Sequence, residues 1–170
     1  MKKKYYAGIG SRQTPEPVCN YMVLIAHKLS LAGYILRSGG ADGADKAFEI
    51  GADKDKKEIF LPWKGFNNNP SPLYHLTDEA TELARKYHPK WKNLTPSARS
   101  FHTRNCYQIL GYDLKTPVDF VICWTADGKA SGGTGQAIRI ATAYSIPVYN
   151  LFNPAEKLLL KEFLKGLHNN

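Results

Sequence analysis

Little in this chain is arranged for cross-linking or metal binding. It has three cysteines, Cys19, Cys106 and Cys123, scattered along 170 residues. No CxxC pair and no Cys/His grouping at metal spacing occurs, which argues against a disulfide framework, a zinc site or a redox dithiol. The thiols read as reduced, buried, intracellular side chains, and neither a metal nor a cofactor is expected. Long hydrophobic runs are missing too. Nothing approaches the about 18 consecutive apolar residues of a membrane span, and the YYAGIG after the lysines at 2–4 is too short for a signal peptide's apolar region. The expectation is a cytoplasmic protein with no membrane partner. Acidic side chains are outnumbered, 15 against 23 Lys and Arg, for a formal charge of +8. That excess favours a polyanionic partner such as a nucleotide or nucleic acid, and it equally serves solubility.

What is present is enough for a core, with 43% hydrophobic and 12% aromatic residues in a length that fits one domain, 1–170. Short apolar runs alternate with helical periods. Residues 5–9 suit a first strand; Val18, Met22, Ile25 and Leu29 mark an amphipathic helix stopped by Gly33. Strands are expected at 34–36 and 58–61, with a helix capped by Asp42 running to about Gly51 between them. A polar, proline-broken, lid-like loop covers 62–76. Helices at 77–88 and 96–110 follow, broken at His88-Pro89. The apolar run 118–124 reads as a strand buried on both faces. A helix begins near Thr134, a last strand covers 147–150, and the chain ends in a helix at about 155–167. Strand and helix in alternation predict an α/β, Rossmann-like three-layer sandwich with a mostly parallel central sheet of about five strands.

Ligands of such sheets sit beyond the carboxyl ends of the strands. Three glycine clusters fall there: GIGSR (8–12), RSGGADGAD (37–45) and SGGTGQ (131–136). In the first, Gly8 and Gly10 allow tight backbone geometry while Ser11 and Arg12 offer a hydroxyl and a cation near a helix start, where N–H groups bind phosphate. The full GxGxxG spacing and the acidic residue of dinucleotide folds are both missing, which disfavours ordinary NAD binding. In the second, Gly39, Gly40 and Gly43 free the backbone and Arg37 and Ser38 can meet anionic oxygens. Its acids have the wrong charge for a phosphate. Asp42 and Asp45 suit helix capping and the first helical turn, or a ribose hydroxyl. In the third, Gly132, Gly133, Gly135, Thr134 and Gln136 form a second anion cradle. On the predicted helix SFHTRNCYQ, His102 and Arg104 are two apart and share a face poorly, so one is expected to face the ligand and the other to support it. Trp63, Phe66 and Trp124 are candidates for stacking on a base, or simply anchors of a long loop.

These segments in this order resemble the SLOG superfamily of Rossmann-like proteins, which includes the DNA-processing protein A domain, the YspA-type proteins and the LONELY GUY phosphoribohydrolases. RSGGADGAD is similar to the SGxARGxD stretch of the first branch and the GGARGAD form of the second. FHTRN, DFVICW and SGGTGQ resemble the MHxRK…DAFIALPGGxGTxxE run of the third. The resemblance covers roughly residues 5–150 and implies a nucleotide or nucleotide-derived ligand, with single-stranded DNA as an alternative partner and a homo-oligomer, a dimer, by family analogy. It also implies a catalytic arginine at Arg104. The phosphoribohydrolase glutamate, however, falls on Arg139, the motif threonine on Gln136, and the lysine after the arginine on Asn105. Asp42, Asp45 and Glu49 are the carboxylates near enough in sequence to replace that acid on an N-glycosidic bond. Asp42 also stands where the DNA-processing branch has an arginine, which subtracts positive charge from a DNA surface. Nucleotide binding is thus the leading reading. A nucleoside 5′-monophosphate N-glycosidase and a single-stranded DNA binder are the alternatives.

Overall fold

The computed structural model describes residues 1–167. Five strands form one sheet: β1 (Lys4–Gly8), β2 (Tyr34–Ser38), β3 (Lys57–Ile59), β4 (Phe120–Cys123) and β5 (Val148–Asn150). Their order is β3-β2-β1-β4-β5 and every pairing is parallel. The sheet is therefore parallel throughout, with the order reversing between β1 and β4, where α/β folds open a crevice for ligands.

The period of two along each strand divides the core into two layers. Tyr6, Leu36, Phe120 and Ile122 face one side. There they pack with Met22, Ile25 and Leu29 of α1 (Glu16–Leu31), Phe48 of α2 (Ala44–Gly51) and Leu160 and Leu164 of α6 (Pro154–Gly166). Ala7, Val121 and Cys123 face the other. They meet Ala84 of α3 (Asp78–Lys86), Ile109 and Leu110 of α4 (Pro96–Leu110) and Ile138 and Ile140 of α5 (Gly132–Ala143). The result is the expected Rossmann-like three-layer arrangement.

Helix starts follow local chemistry. Thr77 and Thr95 cap α3 and α4 by accepting from the N–H groups of Ala80 and Ala98, and Pro96 fills the first turn of α4, where no N–H partner is needed. At α2 the expectation fails. Gly43, not Asp42, is the residue before the helix, at φ 79°, and no side chain caps it. Asp42 points out to accept from Asn67 at 3.2 Å. Of the three cysteines, Cys106 and Cys123 are buried as expected, whereas Cys19 is only half-buried.

The long loop is tied down at several points. Ser71 donates to the Ile59 carbonyl, Asn69 to Glu49 at 2.9 Å, and Asn67 to the Gly40 carbonyl at 3.1 Å. Trp63 and Phe66 meet Phe101 of α4 at ring-centre distances of 5.2 and 5.3 Å. Among the described residues no helix is long and apolar enough to cross a membrane.

Candidate functional site

At the switch point, between the ends of β1 and β4, lies a cavity of about 620 Å³. That is ample for a small ligand of nucleotide size. Four segments build it: the turn after β1 (Ile9–Gln13), Ala41 and Asp45 at the start of α2, one face of α4, and the loop leading into α5.

The α4 contribution is a helical stripe. Ala98, Phe101, Arg104, Asn105 and Gln108 recur at steps of three, three, one and three and all line the cavity. His102 reaches it from the flank, so both members of the His102/Arg104 pair border the same space, where one was expected to face the ligand and the other to support it. The stripe is polar yet buried: Arg104 is 5% exposed and Asn105 7%. Arg104 and Asn105 are hydrogen-bonded within the protein. The Arg104 guanidinium donates to the Gly39 carbonyl, to the Phe60 carbonyl at 3.1 Å and to Asn105 at 3.2 Å. Burial pulls its pKa down to about 10.

Next to it, Asp45 is fully buried at the first turn of α2, and burial pushes its carboxyl up to about 6 against the pull of Arg104. It accepts from the backbone N–H of Ala41 at 3.3 Å, and the nearby Gly10 N–H also favours its charged form. The side chain therefore fills the helix start that the glycines seemed to reserve for a phosphate. Gly39 has a related reason. A Cβ there would lie under 3 Å from Gln108, Arg104 and Asp45, so its missing side chain makes room for this polar cluster.

The turn after β1 also differs from the expected phosphate loop. Helix α1 begins only at Glu16, and its first turn carries Glu16 and Pro17, an anion and a residue without an N–H. The Ser11 hydroxyl accepts from the Gln13 N–H at 3.0 Å, and the Ser11 N–H donates to the Trp124 carbonyl at 3.1 Å. What the turn does present is Arg12, exposed at the cavity mouth with its guanidinium 5.8 Å from the centre of the Phe101 ring. Among the described residues it has no carboxylate within ion-pair distance.

The third loop is the open one. Ser131, Gly132, Gly133 and Thr134 line the cavity at the start of α5, whose first N–H groups have no partner within the helix. Asp127 steadies the approach by accepting from Ser131 at 2.6 Å and from the Lys129 N–H at 3.0 Å. Behind it, Gln136 donates to the Ala84 carbonyl at 3.0 Å, which leaves its amide oxygen to accept from Asn105 at 3.3 Å and His102 at 3.1 Å. That assignment puts the His102 proton on Nδ1. Burial and the neighbouring His88, 4.3 Å away between ring centres, take His102 down to about 4, so it is neutral near pH 7.

Of the sequence candidates, Gly10, Ser11, Arg12, Asp45, His102, Arg104, Gly132, Gly133 and Thr134 converge on the cavity. Gly8, Ser38, Gly39, Gly40, Asp42, Gly43, Gly135 and Gln136 lie around it without lining it. Arg37 is elsewhere. Its buried side chain pairs with Glu58 at 2.8 Å, donates to the Thr116 carbonyl and stacks on Tyr5 at 3.9 Å. Arg139, at the family's glutamate position, donates to the carbonyls of Tyr87, at 2.9 Å, and Ala130, and does not line the cavity either. Trp124 packs edge-on against Phe152 at 6.2 Å. Sequence reading missed Phe101, Gln108, Gln13 and Thr125. The spacing of Phe101, Arg104 and Gln108 on one predicted helix was the available signal.

No family model matches the sequence, and neither does any curated protein. Among solved structures, the chain is similar to DNA processing protein A from Helicobacter pylori, a protein with a single-stranded DNA binding mode. The TM-score is 0.60 at 20% identity, over 94% of this chain and 81% of that one. The likeness is one of fold, a Rossmann-like domain of the kind found in DNA processing protein A.

Proposed function

We propose that the protein binds a nucleotide or nucleotide-derived ligand in the cavity between β1 and β4. The observation that carries this is the convergence on one space of a free helix start (131–134), an unpaired arginine (Arg12) and an aromatic ring (Phe101). A nucleotide is anionic at one end and flat and aromatic at the other, and these groups match it in that order. The phosphate lies against the N–H groups of Gly132–Thr134, where the helix dipole also favours it. The test is a thermal-shift screen with mono-, di- and cyclic nucleotides, since a ligand that binds only the folded state raises apparent stability. At 100 times its Kd a true ligand adds about 2.7 kcal/mol. No shift with any nucleotide at millimolar concentration removes this reading.

Two alternatives each have an observation in their favour. Single-stranded DNA is favoured by the likeness to a DNA-binding protein and by the charge of +8. Affinity for an oligonucleotide should then fall steeply with salt, because each phosphate contact releases counterions. N-glycosidic hydrolysis is favoured by Asp45, a buried cavity carboxyl raised to about 6, in the range suited to proton transfer. Base release from a nucleoside monophosphate panel, followed by chromatography, distinguishes it from simple binding.

A further inference from the structure

We propose that Phe101 and Arg12 form a clamp that holds the base of the nucleotide, a subsite separate from the phosphate end of the cavity. This rests on the nucleotide reading and adds to it where the base goes and what discriminates nucleotides from sugar phosphates.

Phe101 is the aromatic residue that lines the cavity, and three neighbours fix its ring. Trp63 and Phe66 meet it nearly at right angles, at 69° and 80°, and meet each other at 5.3 Å and 85°. Such edge contacts are favourable and restrict tilting. On the α4 side, Arg104 lies 5.5 Å from the ring centre, held by its carbonyl bonds. Arg12 is the exposed partner, 5.8 Å from the ring and, among the described residues, without a carboxylate in ion-pair distance.

A base between two flat groups needs two contact distances of about 3.5 Å, or about 7 Å in all. The present spacing of 5.8 Å is too narrow for that by roughly an ångström. Arg12 can supply the difference by moving outward, because among the described residues its guanidinium has no ion pair, whereas Phe101 is packed against Trp63 and Phe66. In this structure the guanidinium sits over the aromatic ring, and with a base between them it covers the base. Aromatic faces and guanidinium planes are the surfaces on which bases stack. The contact is sequence-tolerant, so the clamp accepts any base. The unit it holds is the same whether it comes as a free nucleotide or as one nucleotide of a single strand.

The test compares calorimetric affinities for the four nucleoside 5′-monophosphates, ribose 5-phosphate and a short oligodeoxythymidine. It uses the natural protein, Phe101→Leu and Arg12→Gln, each first checked for folding by urea denaturation. A stacked base contributes a factor of roughly 5 to 150 in affinity. The natural protein should prefer nucleoside monophosphates over ribose 5-phosphate by that order, with little distinction among bases. Phe101→Leu should abolish the preference while leaving ribose 5-phosphate binding unchanged, and Arg12→Gln should reduce it. If the oligonucleotide alone binds and Phe101→Leu weakens it by a similar factor, the clamp stands and the ligand is a strand. If Phe101→Leu folds and keeps the full preference, the clamp is wrong and nucleotide binding survives. If neither mononucleotides nor the oligonucleotide bind the natural protein, both readings fall.

Discussion

Arg104 and Asp45 lie together under the cavity without forming an ion pair. One guanidinium nitrogen donates to the carbonyls of both Gly39 and Phe60, and the carboxylate accepts from the backbone N–H of Ala41. The two charges still act on each other, yet burial outweighs that attraction in both, raising Asp45 to about 6 and lowering Arg104 to about 10. Each is a charge held by the backbone, and each is therefore more a part of the framework than a surface counter-ion would be.

Replacing Arg104 with Met should cost stability first. Two carbonyls lose their donor, at about 1–3 kcal/mol for each group left buried and unpaired. A loss of about 2–4 kcal/mol in urea denaturation is expected, with Arg104→Lys recovering only part, since lysine ends one atom short of the Nη1 that reaches both carbonyls and lacks the Nε–H donated to Asn105. An Arg104→Met protein as stable as the natural one would show that the guanidinium is not a structural strap.

The pH dependence of stability contains two opposed contributions. Asp45 binds its proton more tightly folded than unfolded, so its contribution is fully present below about pH 4 and is lost as pH rises through about 6. His102 has a folded pKa lowered to about 4, so its contribution is present above its ordinary 6.5 and is lost as pH falls towards 4. The natural protein should thus show a nearly flat profile from pH 4 to 6.5 as far as these two groups are concerned. Asp45→Asn should unmask destabilisation by acid in that window, and His102→Gln should unmask the reverse. Parallel slopes in the two variants would contradict both assignments.

How much of this was readable from residues depends on how local the cause is. Strand and helix positions follow from periodicity along the chain, and the parallel sheet follows from their alternation. The roles of the glycines did not follow, because they depend on partners far away in sequence. Gly39 looks like a phosphate-loop glycine, and only the arrival of Gln108 and Arg104 from α4 explains its missing side chain. Phe101 was passed over as an ordinary helix residue until Arg12, some ninety residues earlier, came to rest against it. Helix α1 begins four residues after Arg12, behind Pro15 and with Glu16 as its first residue, so the turn after β1 does not lead straight into a helix start.

Arg37 illustrates the same point with a testable reversal. From sequence it belonged with the phosphate ligands. Its side chain is 3% exposed and paired directly across the sheet with Glu58, whose own side chain is 33% exposed. Arg37→Ala should therefore destabilise by about 1–3 kcal/mol, less than a fully buried pair would cost because Glu58 keeps some water. Nucleotide affinity, measured well below the melting temperature, should stay within about twofold, a few tenths of a kcal/mol. A large loss of affinity in a folded Arg37→Ala protein would return Arg37 to the site.

Two glycines that look alike in the sequence should answer differently to the same change. At Gly39 an added methyl would lie under 3 Å from the side chains of Gln108, Arg104 and Asp45, of which Arg104 and Asp45 are held by their own hydrogen bonds. Gly39→Ala should therefore cost about 1–3 kcal/mol of stability through overpacking. At Gly133 a methyl meets nothing within 4 Å, and the residue sits in the first turn of α5, where alanine is the better helix former. Gly133→Ala should fold at least as stably as the natural protein. It lines the cavity beside the free N–H groups, however, so the methyl occupies space that an anion needs. Calorimetry on Gly133→Ala should therefore find phosphate and nucleoside monophosphate binding weakened together, by about tenfold or 1.4 kcal/mol, in a protein whose urea midpoint has not fallen. Unchanged affinity for both would place the phosphate somewhere other than the start of α5.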